Sequence, residues 1–532
     1  MSASGAGKTD GLRAEGDFEQ PMQPLRAAFD RASIAFAVVL LLATAGRIAA
    51  LYYNQLDLYY DEAQYWAWSR QLDWGYYTKP PLIAWAIAAT TSIFGDAEWA
   101  VRLSAPLAHA VAATALFALG RSTYGAWPGF WTGVAWLAMP GVFLSSAVMS
   151  TDALLLPLWA LALFSAWRLM TTRAWIWAVA LGFFIGLGAL AKYAMLYFVL
   201  CMALAAMWLA PMRQALKAGR GAVAGLIAAA IIAPNIFWNV QNGFATARHT
   251  AANARLDASD MFNIDELFEF WGGQFGVLGP IVALVLIWAI WRISRRWTGA
   301  SDQDKFLLAF ILPTLVIVSC IAFISRANAN WVAVAYPAII VWTVGSLFDS
   351  HAGRRVLAAS LAINVLIGAV VLAAATMPQF ANLAKAVRTA QGWELTATEI
   401  AERARPRAGG PPFTAVLVDN REAYFELNYY WRDARRRGEP LPPVRMWLLH
   451  GEAHNSAEAA DPMRPEEGAR VLVVHAREEY LPFVAGDFTV FRTIEHLSIP
   501  LGGGFTRELE LSIGEGFAPV ERDEAFRRRL QD

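Results

Sequence analysis

The chain has 532 residues, 57% of them hydrophobic and only 17% charged, with 23 Trp and a mean hydropathy of +0.37. A soluble protein of this length carries about 25% charge, so the composition excludes a soluble globular class and fits an α-helical polytopic membrane protein. Lys plus Arg and Asp plus Glu number 44 each, and this balance suggests no nucleic-acid partner.

Residues 1–30 are rich in Gly, Ala and charge, and are expected to form a disordered cytoplasmic N-terminus. Apolar runs then predict eleven spans, at 31–53, 98–120, 126–146, 152–170, 174–191, 193–211, 221–239, 271–293, 306–325, 330–348 and 356–376. The run 174–210 is divided near Lys192 because a continuous helix there would be roughly 55 Å long, against a hydrocarbon core of ~30 Å. The segment 82–95 is too short to span and is expected to lie against the membrane surface. Cys201 and Cys320 sit inside apolar runs and read as buried thiols, not a disulfide.

Alternate loops hold the basic residues: Arg26 and Arg31, Arg121, Arg168 and Arg173, Arg213 with Lys217, Arg292 with Arg295, and Arg354 with Arg355. By the positive-inside rule these loops are cytoplasmic, so the N-terminus is inside and the tail after 376 outside. Asp61, Glu62, Lys79, Asp152, Lys192, His249 and Arg326 then all fall on the outer face. They are far apart in sequence yet expected to share one chamber.

The first outer loop reads YYDEAQYWAWSRQLDWGYYTKPPLIAW, from Tyr59 to Trp85. Residues 62–72 are expected to form an interfacial helix with Tyr65, Trp66 and Trp68 at headgroup level. Asp61 and Glu62 are read either as a helix-start acidic pair favoured by the macrodipole, or as carboxylates doing general-base work. Pro80 and Pro81 stiffen the backbone beside Lys79, which is either an interface anchor or a fixed cation for phosphate. In STDALLLP, Asp152 is either part of a helix cap with Ser150 and Thr151 or a second cavity carboxylate. Lys192 must snorkel or meet an anion, because an ammonium in lipid costs several kcal/mol. The outer loop 234–254 mixes Asn, Gln and Trp around His249, a composition suited to sugar hydroxyls and sugar faces. No second His or Cys stands at ligand spacing, so a divalent metal is weakly supported. Arg326 is either a surface arginine or a second phosphate clamp.

Residues 377–532 are polar and loop-rich. Strands are expected at 413–420, 469–476, 488–499 and 505–513, and a helix at 421–432, giving a small outer α/β domain. Its expected role is a lid or a partner platform.

YYDEAQYW, YYTKPPLIAW, STDALLL, LAKYAM, PNIFWN…ARHTAAN and ANWVAVAYPA together resemble the GT-C membrane glycosyltransferases. The branch is that of the lipid A aminoarabinose and galacturonic acid transferases, with protein O-mannosyltransferases as more distant relatives. The resemblance covers about residues 30–350 and implies a GT-C fold over 31–376, followed by a periplasmic domain over 377–532. It implies transfer of a sugar from a polyprenyl-phosphate donor to lipid A, another glycolipid or a protein, at the periplasmic face of the inner membrane. Asp61 would carry the key carboxylate, with Glu62 beside it. Lys79 and Lys192, with Arg326, would bind the donor phosphate. Tyr60, Tyr65, Asp152, Tyr193, Asn235, His249 and Asn253 would line the substrate site among membrane lipids. Thr78 stands where the aminoarabinose transferases carry the Glu linked to a metal, which argues against aminoarabinose as the sugar. The rival readings are a transporter or flippase of a lipid-linked sugar, and a non-catalytic scaffold working through the outer domain.

Overall fold

The computed structural model describes residues 30–246, 248, 262–376, 389–406, 411–502 and 504–531. The expected disorder of 1–30 falls outside these residues except at Asp30, which caps the first helix by accepting from Ser33 N at 2.9 Å. His249 and Asn253 also lie outside them.

Among the described residues seven helices are long and apolar enough to cross a membrane: Arg31–Tyr52, Glu98–Tyr124, Thr151–Thr172, Arg220–Gln241, Asp302–Ile324, Ala329–Phe348 and His351–Ala373. Three predicted spans are bent instead of straight. Ala126–Ala138 and Pro140–Ala147 meet at 56°, Tyr193–Trp208 and Ala210–Leu216 at 120°, and Ile264–Leu278 and Pro280–Ser294 at 116°. A proline stands at the start of each second limb. There its missing N–H costs nothing, while its ring stops the preceding helix from continuing. Trp175–Ala191 is a shorter apolar helix of 17 residues that ends at Lys192, where the backbone is extended (φ −162°, ψ 136°). The break thus falls where helix length against the hydrocarbon core requires one.

Burial sorts the helices by position. In Thr151–Thr172, 83% of the spanning window is buried, against 11% in Arg31–Tyr52. Leu41 and Leu42 on the first helix are each 69% exposed, as suits a lipid-facing helix whose solvent is as apolar as itself. Cys201 is buried but Cys320 is exposed on its span, correcting the expectation of two buried thiols.

Beyond the membrane part, a five-stranded sheet has the order β2–β1–β3–β5–β4. Its strands are β1 (Ala415–Val418), β2 (Val444–Met446), β3 (Val471–His475), β4 (Phe488–Gly502) and β5 (Phe505–Phe517). β1 is parallel to both β2 and β3, while β5 is antiparallel to β3 and β4. β1 and β3 are buried at every residue because both faces of the sheet are covered. Val416, Val418, Leu472 and Val474 join the large core, and Leu417, Val471 and Val473 join a smaller one with Trp447 and Phe488. The large core runs on from Trp159 in the bundle to Trp393, Tyr429 and Trp431 outside it. The membrane part and the outer domain thus share one packed interior.

Candidate active site

The interfacial helix Tyr60–Ser69 organises the site. It starts with a reciprocal cap in which Glu62 Oε2 accepts from Tyr59 N at 2.9 Å. The Glu62 side chain is fully buried and bonded further to Arg102, whose Nε and Nη2 donate to it at 3.0 and 2.8 Å, and to Met149 N at 2.7 Å. Arg102 also donates to the carbonyls of Leu56 and Asp57. This pair fixes the first outer loop against two spans. Glu62 has no lone pair left for a reacting proton, so the two adjacent carboxylates occupy different environments.

Asp61 points to another face of the helix. Arg421 Nη2 approaches its Oδ1 at 3.5 Å, and the two side chains are 32% and 35% exposed. Recess into the protein raises the Asp61 carboxyl above its ordinary value, the Arg421 and Lys79 cations pull it down, and Glu62 adds to the rise. The Arg421 guanidinium lies 4.8 Å from the centre of the Tyr60 ring and donates to Gln64 Oε1 at 3.4 Å. Burial lowers its pKa, but Asp61 and Tyr60 outweigh that and hold it above the usual arginine value.

Lys79 follows a tight turn in which Tyr76 N donates to its carbonyl at 3.0 Å. Burial and then Lys192 lower its ammonium pKa, while Asp61 and Asp152 oppose them. Lys192 Nζ donates to Asp152 Oδ1 at 2.8 Å, with the side chains 25% and 15% exposed. Asn330 Nδ2 donates to the other Asp152 oxygen at 2.9 Å. Ser150, not Asp152, caps the fourth span, accepting from Ala153 N. Asp61, Lys79, Asp152, Lys192 and Arg421 therefore act on one another within one cluster, although four separate stretches of chain supply them.

Tyr193 and Asn235 take a different place. The Tyr193 hydroxyl donates to Asn235 Oδ1 at 2.8 Å and accepts from Asn239 Nδ2 at 2.9 Å. Asn235 Nδ2 donates to the Trp74 carbonyl at 2.7 Å, and Trp238 Nε1 to Asp73 Oδ2 at 2.7 Å. These groups hold the loop that carries Lys79. Gly75 sits there because a Cβ would come within 2.5 Å of the Trp238 ring. Tyr65 is buried beside Asp61. Arg326 is exposed at the end of its span and makes no ion pair among the described residues.

Two expectations are corrected. Trp66 and Trp68 are not lipid anchors: Trp68 stacks on Tyr76 at 4.7 Å, and Trp66 packs edge-on against Tyr429 while donating to Asp96 at 2.8 Å. The outer domain is more than a lid, since its Arg421 reaches Asp61. Sequence reading missed Arg421. The available signal was its place just after β1, whose flanking parallel strands lie on opposite sides, because ligands bind at such switch points.

Thr78 accepts from Gln64 Nε2 at 3.1 Å and offers no carboxylate. Among the described residues no three His, Cys, Asp or Glu side chains converge to hold a metal ion.

Residues 78–238 match the dolichyl-phosphate-mannose-protein mannosyltransferase family. The chain is 34% identical over 401 residues to the lipid A galacturonosyltransferase RgtD of Rhizobium johnstonii, covering 75% of this chain and 83% of that protein. The fold is that of ArnT from Cupriavidus metallidurans. The apo form gives a TM-score of 0.59 and the form bound to undecaprenyl phosphate 0.60, each at 14% identity and covering 92% of this chain and 99% of the other.

Proposed function

The chain belongs to the GT-C membrane glycosyltransferase family that includes this galacturonosyltransferase, and from that premise we propose that it moves a hexuronic acid from a polyprenyl-phosphate donor to lipid A. The site faces the periplasm, with the N-terminus in the cytoplasm. The observation that carries the reading is one cluster in which Arg421 and Lys79 act on Asp61 while Lys192, paired with Asp152, acts on Lys79.

The chemistry follows from that arrangement. An acceptor hydroxyl oxygen bonds to the anomeric carbon as the bond from that carbon to the phosphate oxygen breaks. Negative charge builds on the departing polyprenyl phosphate, where Lys79 and Lys192 stabilise it in a partly dehydrated chamber. Asp61 takes the hydroxyl proton, and its raised pKa makes it a stronger base than an ordinary aspartate. Glu62 acts through Arg102 as a positioning residue for the helix. Arg421 orients Asp61 and has donors in loose contacts at 3.4 and 3.5 Å, suited to a sugar carboxylate.

The test uses the purified full chain with polyprenyl-phosphate galacturonic acid and lipid A. The expected result is release of free polyprenyl phosphate, with lipid A heavier by one hexuronic acid, both lost in Asp61→Asn at unchanged protein level. Donor moved across the bilayer with no polyprenyl phosphate released would replace this reading by that of a flippase. Transfer by Asp61→Asn at the wild-type rate would remove Asp61 from the mechanism.

A further inference from the structure

On the opposite side of the interfacial helix lies a second feature that this chemistry does not use. At about 100° per residue, Trp66 and Arg70 face roughly away from Asp61. There they line an open cleft of about 480 Å³ together with Asn428, Arg432, Arg435 and Arg436 of the outer domain. Four guanidinium groups thus converge from two parts of the molecule.

Their carboxylate partners are too few. Asp96 is shared between Arg70, at 3.1 Å, and Arg436. Asp433 pairs with Arg436 at 3.2 Å and with Arg432 at 3.6 Å. Asp461, which accepts from the cleft residue Tyr424, is matched by Arg445 at 3.2 Å. Arg445 is itself held by Glu467 at 2.6 Å, so five cations against four carboxylates leave an excess of one positive charge at the cleft. Arg435 spends one donor on Asn428 Oδ1 at 2.6 Å, and Arg432 lies flat on Tyr429 at 3.8 Å. Such rigid forks suit phosphate oxygens.

The location adds the source of the anion. Asp96 follows Phe94, which is 50% exposed, and the Phe94 and Tyr52 rings pack around Trp99 at 5.4 and 6.4 Å. Tyr52 and Tyr53 are each 68% exposed at the end of a span. A cluster of exposed aromatic rings at a span end marks headgroup depth. We propose that this four-arginine cleft binds the phosphate of a lipid in the outer leaflet, holding the interfacial helix and the outer domain together on the membrane surface. The phosphate can belong to an anionic phospholipid or to a phosphorylated glycolipid. The site is separate from the Asp61 cluster and needs no sugar donor.

Native mass spectrometry of the full chain in detergent tests this, titrating phosphatidylglycerol, diphosphoryl lipid A, phosphatidylcholine or inorganic phosphate. We expect an anionic-lipid adduct that phosphatidylcholine does not give and that Arg432→Gln/Arg435→Gln weakens roughly tenfold or more. Asn428→Asp keeps every arginine and the oxygen that Arg435 meets, and gives up only the bond from Asn428 Nδ2 to the Tyr424 carbonyl, so an unchanged elution profile shows that it is folded. It neutralises the cleft and is expected to weaken the adduct too. Lys192→Met, on the other face, leaves the adduct in place even if the transfer reaction fails. Tighter binding of lipid A assigns the glycolipid as occupant, and tighter binding of phosphatidylglycerol the phospholipid. Equal lipid binding by wild type and both cleft variants overturns the proposal, as does equal occupancy by inorganic phosphate at the lipid's concentration.

Discussion

Glu62–Arg102 and Asp152–Lys192 are two of this molecule's ion pairs, alike in charge type. The first has side chains 0% and 2% exposed, and its hydrogen-bonding groups are filled by backbone and by each other. The second is 15% and 25% exposed, and its lysine has one strong acceptor and further donors to offer. A sealed pair gives geometry and cannot take part in chemistry, because any new partner would break an existing bond. A half-open pair can exchange one acceptor for another, as a lysine must when a phosphate arrives. Burial and saturation, not charge, separate the sealed pair from the half-open one.

The largest expected effect comes from breaking the sealed pair. Glu62→Ala leaves Arg102 buried and unpaired, which costs about 3–5 kcal/mol, a large part of a typical stability of about 5–15 kcal/mol. Loss of folded protein from the membrane, read by fluorescence size-exclusion chromatography, is the expected outcome. A stable Glu62→Ala protein that has lost only transfer would place Glu62 in the chemistry after all. The half-open pair is expected to respond in the opposite way. Lys192→Met should leave the folded yield intact and slow polyprenyl phosphate release by roughly 10–100-fold, as loss of a charged hydrogen bond of about 1.5–3 kcal/mol predicts. Unchanged release kinetics would show that the phosphate does not meet Lys192.

The same contrast explains what could be read from the chain alone. Spans and their breaks were legible because hydropathy and helix rise are local: the interruption at Lys192 followed from length. The gathering of Asp61, Lys79, Asp152 and Lys192 in one cluster was legible from the alternation of basic loops. The difference between Asp61 and Glu62 was not. They are adjacent, and only the partner forty residues away, Arg102, decides which one is consumed. Arg421 lies 357 residues from Gln64, in a domain whose docking is set by packing that leaves no local pattern. The bends at Pro140 and Pro280 carried a sequence signal, but their angles of 56° and 116° are tertiary outcomes.

A smaller effect probes Arg421. In the proposed mechanism transfer requires Asp61 without its proton, so activity should rise with pH as Asp61 ionises. Recess in the protein places that rise above the ordinary carboxylate range, and Arg421 holds it down. Arg421→Ala removes the restraint, so the acid limb of kcat/KM should move to higher pH. An acid limb that stays in place would mean that Arg421 does not act electrostatically on Asp61 in the working enzyme.

The smallest effect concerns Glu426, on the helix that begins with Arg421. Its side chain is 0% exposed, and neither carboxyl oxygen has a hydrogen-bond partner among the described residues. Burial, followed by the neighbouring Asp57, pushes its pKa well above 4.5, against the pull of Arg507. The unfolded chain gives up this proton above its ordinary pKa while the folded chain keeps it. The unfolded state therefore binds fewer protons, and stability falls as pH rises through that window. Glu426→Gln removes the titration while keeping the shape. Its unfolding temperature should match wild type near pH 4.5 and exceed it by roughly 2–4 °C at pH 8. The sealed Glu62 would lose stability on the same change, because its charge is matched. An equal loss of stability in Glu426→Gln at both pH values would show that this carboxyl too is ionised and paired, and that burial alone does not tell the two apart.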